Sequence, residues 1–177
     1  MLTLDPHVST LVVIDVQAKL VPAIDAGAAV VENVRRLTAA ADLLAVPVLF
    51  TEQNSKRLGS TVPELCADPA SVVHKMTFDS VRTTVFLERL AADRVAVVAG
   101  CEAHVCVLQT VLSLIDRGRR VFVVCDAIGS RRSESKKIAL RRMERHGAEI
   151  VTVEMVLFEW LQTAEHPRFR ETVALIK

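Results

Sequence analysis

Glycine and proline are scarce in this 177-residue chain, six of each, and no stretch is of low complexity, which excludes a disordered or linker-dominated protein. No apolar run approaches the roughly 20 residues a membrane-crossing helix needs, and no basic segment leads into a long apolar one at the start. A soluble, cytoplasmic protein without a membrane partner is expected. Excess charge of either sign is also missing. With 22 Lys and Arg against 21 Asp and Glu the formal charge is +1, so no global field favours nucleic acid as a partner. The pairs Arg131, Arg132 and Arg141, Arg142 are diluted by Glu134 and Glu144 and read as a solvated helix face. The four cysteines, Cys66, Cys101, Cys106 and Cys125, lack C-x-x-C or zinc-ligand spacing, so no metal is expected. A chain this long needs no disulfide framework, and a reducing compartment suits its thiols.

What the chain does contain is an unbroken alternation of short apolar runs and amphipathic stretches. Thr10 to Asp15 is a β-branched run closing on a carboxylate, as suits a strand buried on both faces of a parallel sheet. From Ala28 to Ala45, Val30, Val31, Val34, Leu37, Ala41 and Leu44 recur at helical spacing. Val48 to Phe50 is a second strand, followed by a polar loop, Thr51 to Pro63, long enough to line a pocket. Ser71 to His74 is a third strand running into Lys75, Arg82 to Ala91 a helix, and Arg94 to Ala99 a fourth strand that Gly100 breaks. A helix from Ala103 to Arg117, a strand from Arg120 to Cys125, a helix from Ser133 to His146, a strand from Glu149 to Thr152 and a helical piece from Met155 to Thr163 complete the pattern. Neither a repeat nor a linker appears, so residues 1–177 are expected to form a single domain.

Such alternation means βαβ units with right-handed crossovers, hence a three-layer α/β/α sandwich on a mostly parallel sheet. The doubly wound strand order 3-2-1-4-5-6 puts a ligand crevice outside the carboxyl ends of strands 1 and 4, where they diverge. Three reactive residues reach that edge: Asp15 ends strand 1, Lys75 follows strand 3 and Cys106 follows strand 4. In the first turn of a helix, Cys106 meets unpaired backbone N–H groups and the positive dipole end, which would stabilise a thiolate and lower its pKa. A carboxylate to take the thiol proton and N–H donors for an oxyanion complete a nucleophilic site. Taken singly, each residue also has a plain structural reading: a cysteine packed as a small hydrophobe, an acid capping a turn, a solvated lysine. A nucleotide cofactor is not expected, because Val16 to Leu20 holds no glycine that would admit a pyrophosphate and no Walker-type loop occurs.

The segments Val12-Val-Ile-Asp-Val-Gln17, Val73-His-Lys75 and Val98-Ala-Gly-Cys-Glu-Ala-His-Val-Cys106 resemble, in order and separation, the three signature stretches of isochorismatase-like cysteine hydrolases. Thr51-Glu-Gln-Asn54, Leu58-Gly-Ser-Thr-Val-Pro-Glu64 and Asp116-Arg-Gly118 further resemble the compact isochorismatase-domain-containing subgroup. The resemblance implies that Cys106 is the nucleophile, Asp15 its base and Lys75 the electrostatic support of both. It implies a covalent thio-enzyme intermediate formed from a small amide, and a homo-oligomer. It also implies a cis peptide joining Cys101 to Glu102, with the N–H groups of Glu102 and Cys106 aimed at the oxyanion.

Departures from the family bear on substrate. Members that cleave isochorismate commonly lack the cysteine, and the Asp-x-His metal motif of nicotinamidases is absent from Thr51 to Lys56, so neither activity is expected. Ala103 replaces a threonine common in the family, and Gln17, Gln53, Ala103 and His104 are candidate pocket residues. Gln17 either contacts substrate or closes a turn. Glu102 either repels anions, meets a cationic substrate or points to solvent. His104 either assists proton transfer or sits on the helix surface. The rival to a hydrolase is a catalytically idle oligomeric scaffold, whose apolar stretch Val156, Leu157, Phe158, Trp160, Leu161 either packs between subunits or forms one more core helix.

Overall fold

The computed structural model describes residues 2–177. Its centre is a six-stranded sheet in the order β3-β2-β1-β4-β5-β6, and every pairing in it is parallel. The strands are β1 (Ser9–Ile14), β2 (Val48–Gln53), β3 (Val72–Lys75), β4 (Val95–Cys101), β5 (Val121–Gly129) and β6 (Glu149–Val151). The helices are α1 (Gly27–Leu43), α2 (Ser55–Leu58), α3 (Thr84–Arg89), α4 (Leu108–Asp116), α5 (Ser133–Arg145), α6 (Val153–Leu161) and α7 (Phe169–Ala174). This is the three-layer, doubly wound arrangement expected from the alternation of elements.

All of β1 is buried, because helices cover both faces of the sheet and an uninterrupted apolar run can then be satisfied. Its alternate side chains divide between two cores. Leu11 and Val13 join the core under α1 and α6, with Trp160 in it, whereas Val12 and Ile14 join the core under α3, α4 and α5. The helices follow the same logic: α1 buries Val30, Val34 and Leu37 on one stripe and α4 buries Leu108, Val111 and Leu114.

Three differences from the sequence reading concern element ends. Gly100 does not break β4, which continues through Cys101. Gly100 has a φ of +114°, and a Cβ there would lie 2.0 Å from the carbonyl oxygen of Ile14, so the glycine lets β4 close on β1 beside Asp15. Strand β2 runs on through Thr51, Glu52 and Gln53, paired with Val73, His74 and Lys75, polar residues that an apolar run does not announce. Strand β5 extends to Gly129 across a register shift, from Val98 opposite Val123 to Gly100 opposite Ile128. In α6, Val156, Leu157, Trp160 and Leu161 are buried within the chain's own core, while Phe158 is partly exposed and meets the ring of Phe169. The apolar C-terminal stretch is therefore a core helix.

Candidate active site

The site lies where β1 and β4 part. Their pairing ends at Ile14 and Gly100, and the next residue of β1's chain, Asp15, turns with a φ of +48°. An aspartate tolerates this left-handed conformation better than most side chains do. Thr51 of β2 holds it twice: the Asp15 N–H donates to the Thr51 carbonyl at 3.1 Å, and the Thr51 hydroxyl donates to Asp15 Oδ1 at 2.6 Å.

The other oxygen, Oδ2, accepts from Lys75 Nζ at 2.6 Å. The side chains of this ion pair are 0% and 1% exposed, so neither charge is stable there without the other. Lys75 Nζ also donates to the carbonyls of Thr77 at 3.3 Å and Phe78 at 3.4 Å. Asp79 fixes the loop that presents those carbonyls. It accepts from the Val81 N–H and from the Ser113 hydroxyl of α4, while the Ser80 N–H donates to Thr110 of the same helix.

Between β4 and α4 lies a π-helical turn, Ala103–Val107, in which the Leu108 N–H donates to the Ala103 carbonyl. Cys106 sits in it, buried, near enough to Asp15 for the carboxylate to act on its thiol. Burial pushes the Cys106 thiol well above the ordinary cysteine range, the negative charge of Asp15 adds to this, and Lys75 opposes it. This corrects the expectation of a thiolate stabilised by a helix dipole. Desolvation and an anionic neighbour prevail, and the Cys106 thiol rests neutral beside the Asp15 carboxylate.

The peptide between Cys101 and Glu102 is cis. Glu102 is buried, and its Oε2 accepts from the N–H and Nε of Arg131, both at 3.1 Å. It therefore does not point to solvent, and its charge is paired. Arg131 lies before α5 and serves this contact rather than a helix face. Cys101 belongs to the core on the opposite side of the sheet, and burial pushes its thiol up to about 12.

Gln17 is buried, and its amide donates to the carbonyls of Gln53 and Gly59 and accepts from the Gln53 N–H. It closes the β1 turn against β2. Gln53 reaches the Met76 carbonyl with its own amide, Ala103 is fully buried, and half-buried His104 pairs through Nδ1 with the Ser130 hydroxyl at 3.0 Å. A cleft of about 390 Å³ lined by Glu52, Asn54, Lys56, His74, Lys75 and Met76 opens beside the lysine. Among the described residues no cluster of three or more His, Cys, Asp or Glu is arranged to hold a metal ion. Thr51 and Asp79 escaped sequence reasoning. The one signal for Thr51 is its place directly after an apolar strand, level with the end of β1.

The model of the isochorismatase domain matches residues 9–155. Isochorismatase domain-containing protein 2 of Xenopus laevis is 38% identical over 95% of this chain and 83% of its own length. The secreted isochorismatase effector Isc1 of Phytophthora sojae is 35% identical over 97% of this chain and 86% of its own. Among solved structures, the MAR1 ribonuclease of Caenorhabditis elegans superposes with a TM-score of 0.93 at 35% identity, covering 98% of this chain and 92% of that one. The YcaC gene product of Escherichia coli, described as an octameric hydrolase of unknown specificity, superposes with a TM-score of 0.89 at 26% identity over 99% and 88%.

Proposed function

Because this chain belongs to the isochorismatase family, we propose that Asp15, Lys75 and Cys106 form the catalytic centre of a cysteine hydrolase acting on a small amide or related acyl compound. The observation that carries this reading is the buried carboxylate that holds Lys75 Nζ at 2.6 Å and acts on the neighbouring thiol of Cys106. The sulfur attacks the carbonyl carbon as its proton passes to Asp15. Backbone N–H groups of Glu102 and Cys106 receive the developing oxyanion. When the tetrahedral adduct collapses, the C–N bond breaks, the amine leaves with the proton from Asp15, and an acyl group remains on Cys106. Water then attacks the thioester, gives a proton to Asp15, and the C–S bond breaks to release the acid. The proton returns from Asp15 to the thiol. Lys75 holds the carboxylate in place through Oδ2 throughout.

A neutral resting thiol suits this scheme, since the acceptor is in place when the bond forms. Gln53, Ala103 and His104 border the substrate space, and the charge of Glu102, paired with Arg131, leaves the site suited to an uncharged amide. The formal charge of +1 lacks the excess of basic residues that polyanion binding uses, so a small molecule is favoured over RNA. The chain works as one hydrolase domain and as a homo-oligomer, a reading supported by the octameric neighbour. Four unpaired cysteines suit a cytoplasmic, reducing setting, although the Phytophthora relative is named a secreted effector. No helix among the described residues is long and apolar enough to cross a membrane.

The test is steady-state turnover across a panel of small amides, with an RNA oligonucleotide as a further arm. Wild-type protein is expected to hydrolyse at least one amide, and Cys106→Ala and Asp15→Asn to abolish that activity. Equal turnover in Cys106→Ala, or cleavage of RNA alone, overturns the proposal, and inertness on every arm supports the idle scaffold instead.

A further inference from the structure

We infer that Thr51 is a positioning residue of this site, its hydroxyl aiming the Asp15 carboxylate so that the carboxylate and the Cys106 thiol share one proton. The inference rests on the reading of Asp15 and Cys106 as a reactive pair. Three observations support it. The hydroxyl is 2.6 Å from Asp15 Oδ1, within the range of a short charge-assisted bond to an ionised acceptor. Thr51 is 1% exposed, so water does not replace it if the side chain loses its oxygen. Its carbonyl also accepts the N–H of Asp15 at 3.1 Å, so one residue fixes both the backbone turn at φ +48° and the rotation of the carboxylate that the turn presents.

The division of labour around the carboxylate follows. Lys75 engages Oδ2 and Thr51 engages Oδ1, which leaves the rotation of the group no freedom as the thiol approaches. The ionisable groups that act on the pair are Lys75 from β3, Cys101 from β4 and Glu102 at the start of the π turn. Thr51 is the uncharged member of this shell. A neutral donor orients the carboxylate without placing a second positive charge beside it.

The closing experiment needs no substrate. Iodoacetamide alkylates a cysteine by forming an S–C bond as the C–I bond breaks and iodide leaves, with the thiol proton passing to a base. The rate at Cys106 is followed by peptide mass from acid to alkaline pH in wild type, Thr51→Val and Thr51→Ser, with exposed Cys66 as an internal reference. A pair sharing one proton gives a rate that is level through neutral pH and falls on the acid side as the pair gains its second proton. Thr51→Val keeps the shape and removes the donor, and is expected to move the acid limb up by about one pH unit. Thr51→Ser restores the donor and returns the limb to the wild-type position. Coincident limbs in wild type and Thr51→Val overturn the role of Thr51 and leave the reactive pair standing. A rate that climbs tenfold per pH unit through neutrality in all three proteins shows an isolated thiol and overturns both. If Thr51→Val lowers thermal stability, its limb is read below its unfolding temperature, where coincidence with wild type still overturns the role of Thr51 and a shift that Thr51→Ser reverses supports it.

Discussion

The two sides of the sheet do different work, and two cysteines five residues apart display the difference. Cys101 faces the core under α1 and α6, where Trp160 is fully buried with its indole N–H on the Ser9 hydroxyl. Cys106 faces the core under α3, α4 and α5, where the same depth of burial encloses an ion pair. Both thiols are pushed up by desolvation. Asp15 also raises both, but at Cys106 it stands next after burial and is opposed by Lys75, whereas at Cys101 Glu102 comes before it. Neighbours rather than exposure separate the two thiols, and the side of the sheet decides which neighbours a residue meets.

The comparison breaks most visibly through the ion pair. Lys75→Met leaves the Asp15 carboxylate buried without its cation and is expected to cost about 3–5 kcal/mol in denaturant unfolding, with loss of amide turnover. Trp160→Ala on the other side is expected to cost a similar amount, about 3–5 kcal/mol, yet to leave the pH profile of Cys106 alkylation unchanged in the folded protein. If Trp160→Ala shifts that profile, the two sides are not separate.

Next in size is the seam between them. Gly100→Ala places a methyl group against the Ile14 carbonyl, at 2.0 Å before any adjustment, in a conformation that disfavours L side chains. A loss of at least about 2 kcal/mol is expected, and turnover should fall with it because the clash adjoins Asp15.

An effect confined to alkaline pH, and absent at neutrality, belongs to the thiol on the far side. A thiol whose pKa is raised by folding holds its proton in the native state after the unfolded chain has lost it. Stability is therefore full below the ordinary thiol value and declines as pH rises through the window between that value and the folded one. For Cys101 the window runs from about 8.5 to about 12, with a decline of at most about 1.4 kcal/mol per pH unit. Cys101→Ala should flatten alkaline unfolding curves by that share without altering turnover at neutral pH. Smallest of all, Arg35→Gln removes a surface partner of Glu32 and should change stability by less than about 0.5 kcal/mol.

Much of this organisation is legible in the amino-acid sequence, for reasons particular residues make plain. The β-branched run before Asp15 and the helical stripe of α1 follow from the spacing of apolar residues, and βαβ chirality prunes their alternation to a few doubly wound orders, of which 3-2-1-4-5-6 is the one formed. The convergence of Asp15, Lys75 and Cys106 on one sheet edge follows from that order alone. Less visible is what depends on close contact between distant segments. Nothing in Thr51-Glu-Gln announces that β2 continues, since its partners lie some twenty residues on in β3. Gly100 reads as a breaker until the Ile14 carbonyl is seen against it. The direction of the Cys106 shift depended on weighing a helix terminus against desolvation and Asp15, and only the packed site supplies those weights. Glu102 and Arg131, 29 residues apart, join through a loop that periodicity does not describe.

The central claim is that Cys106 carries an acyl group during turnover. Its most direct test is intact-mass analysis after rapid quenching with a hydrolysed amide, followed by peptide mapping. The account predicts a mass increase equal to the acyl group on the Cys106 peptide, absent from Cys106→Ala, which no longer turns over. Sustained turnover by Cys106→Ala, or an adduct confined to Cys66 or Cys125, would contradict it.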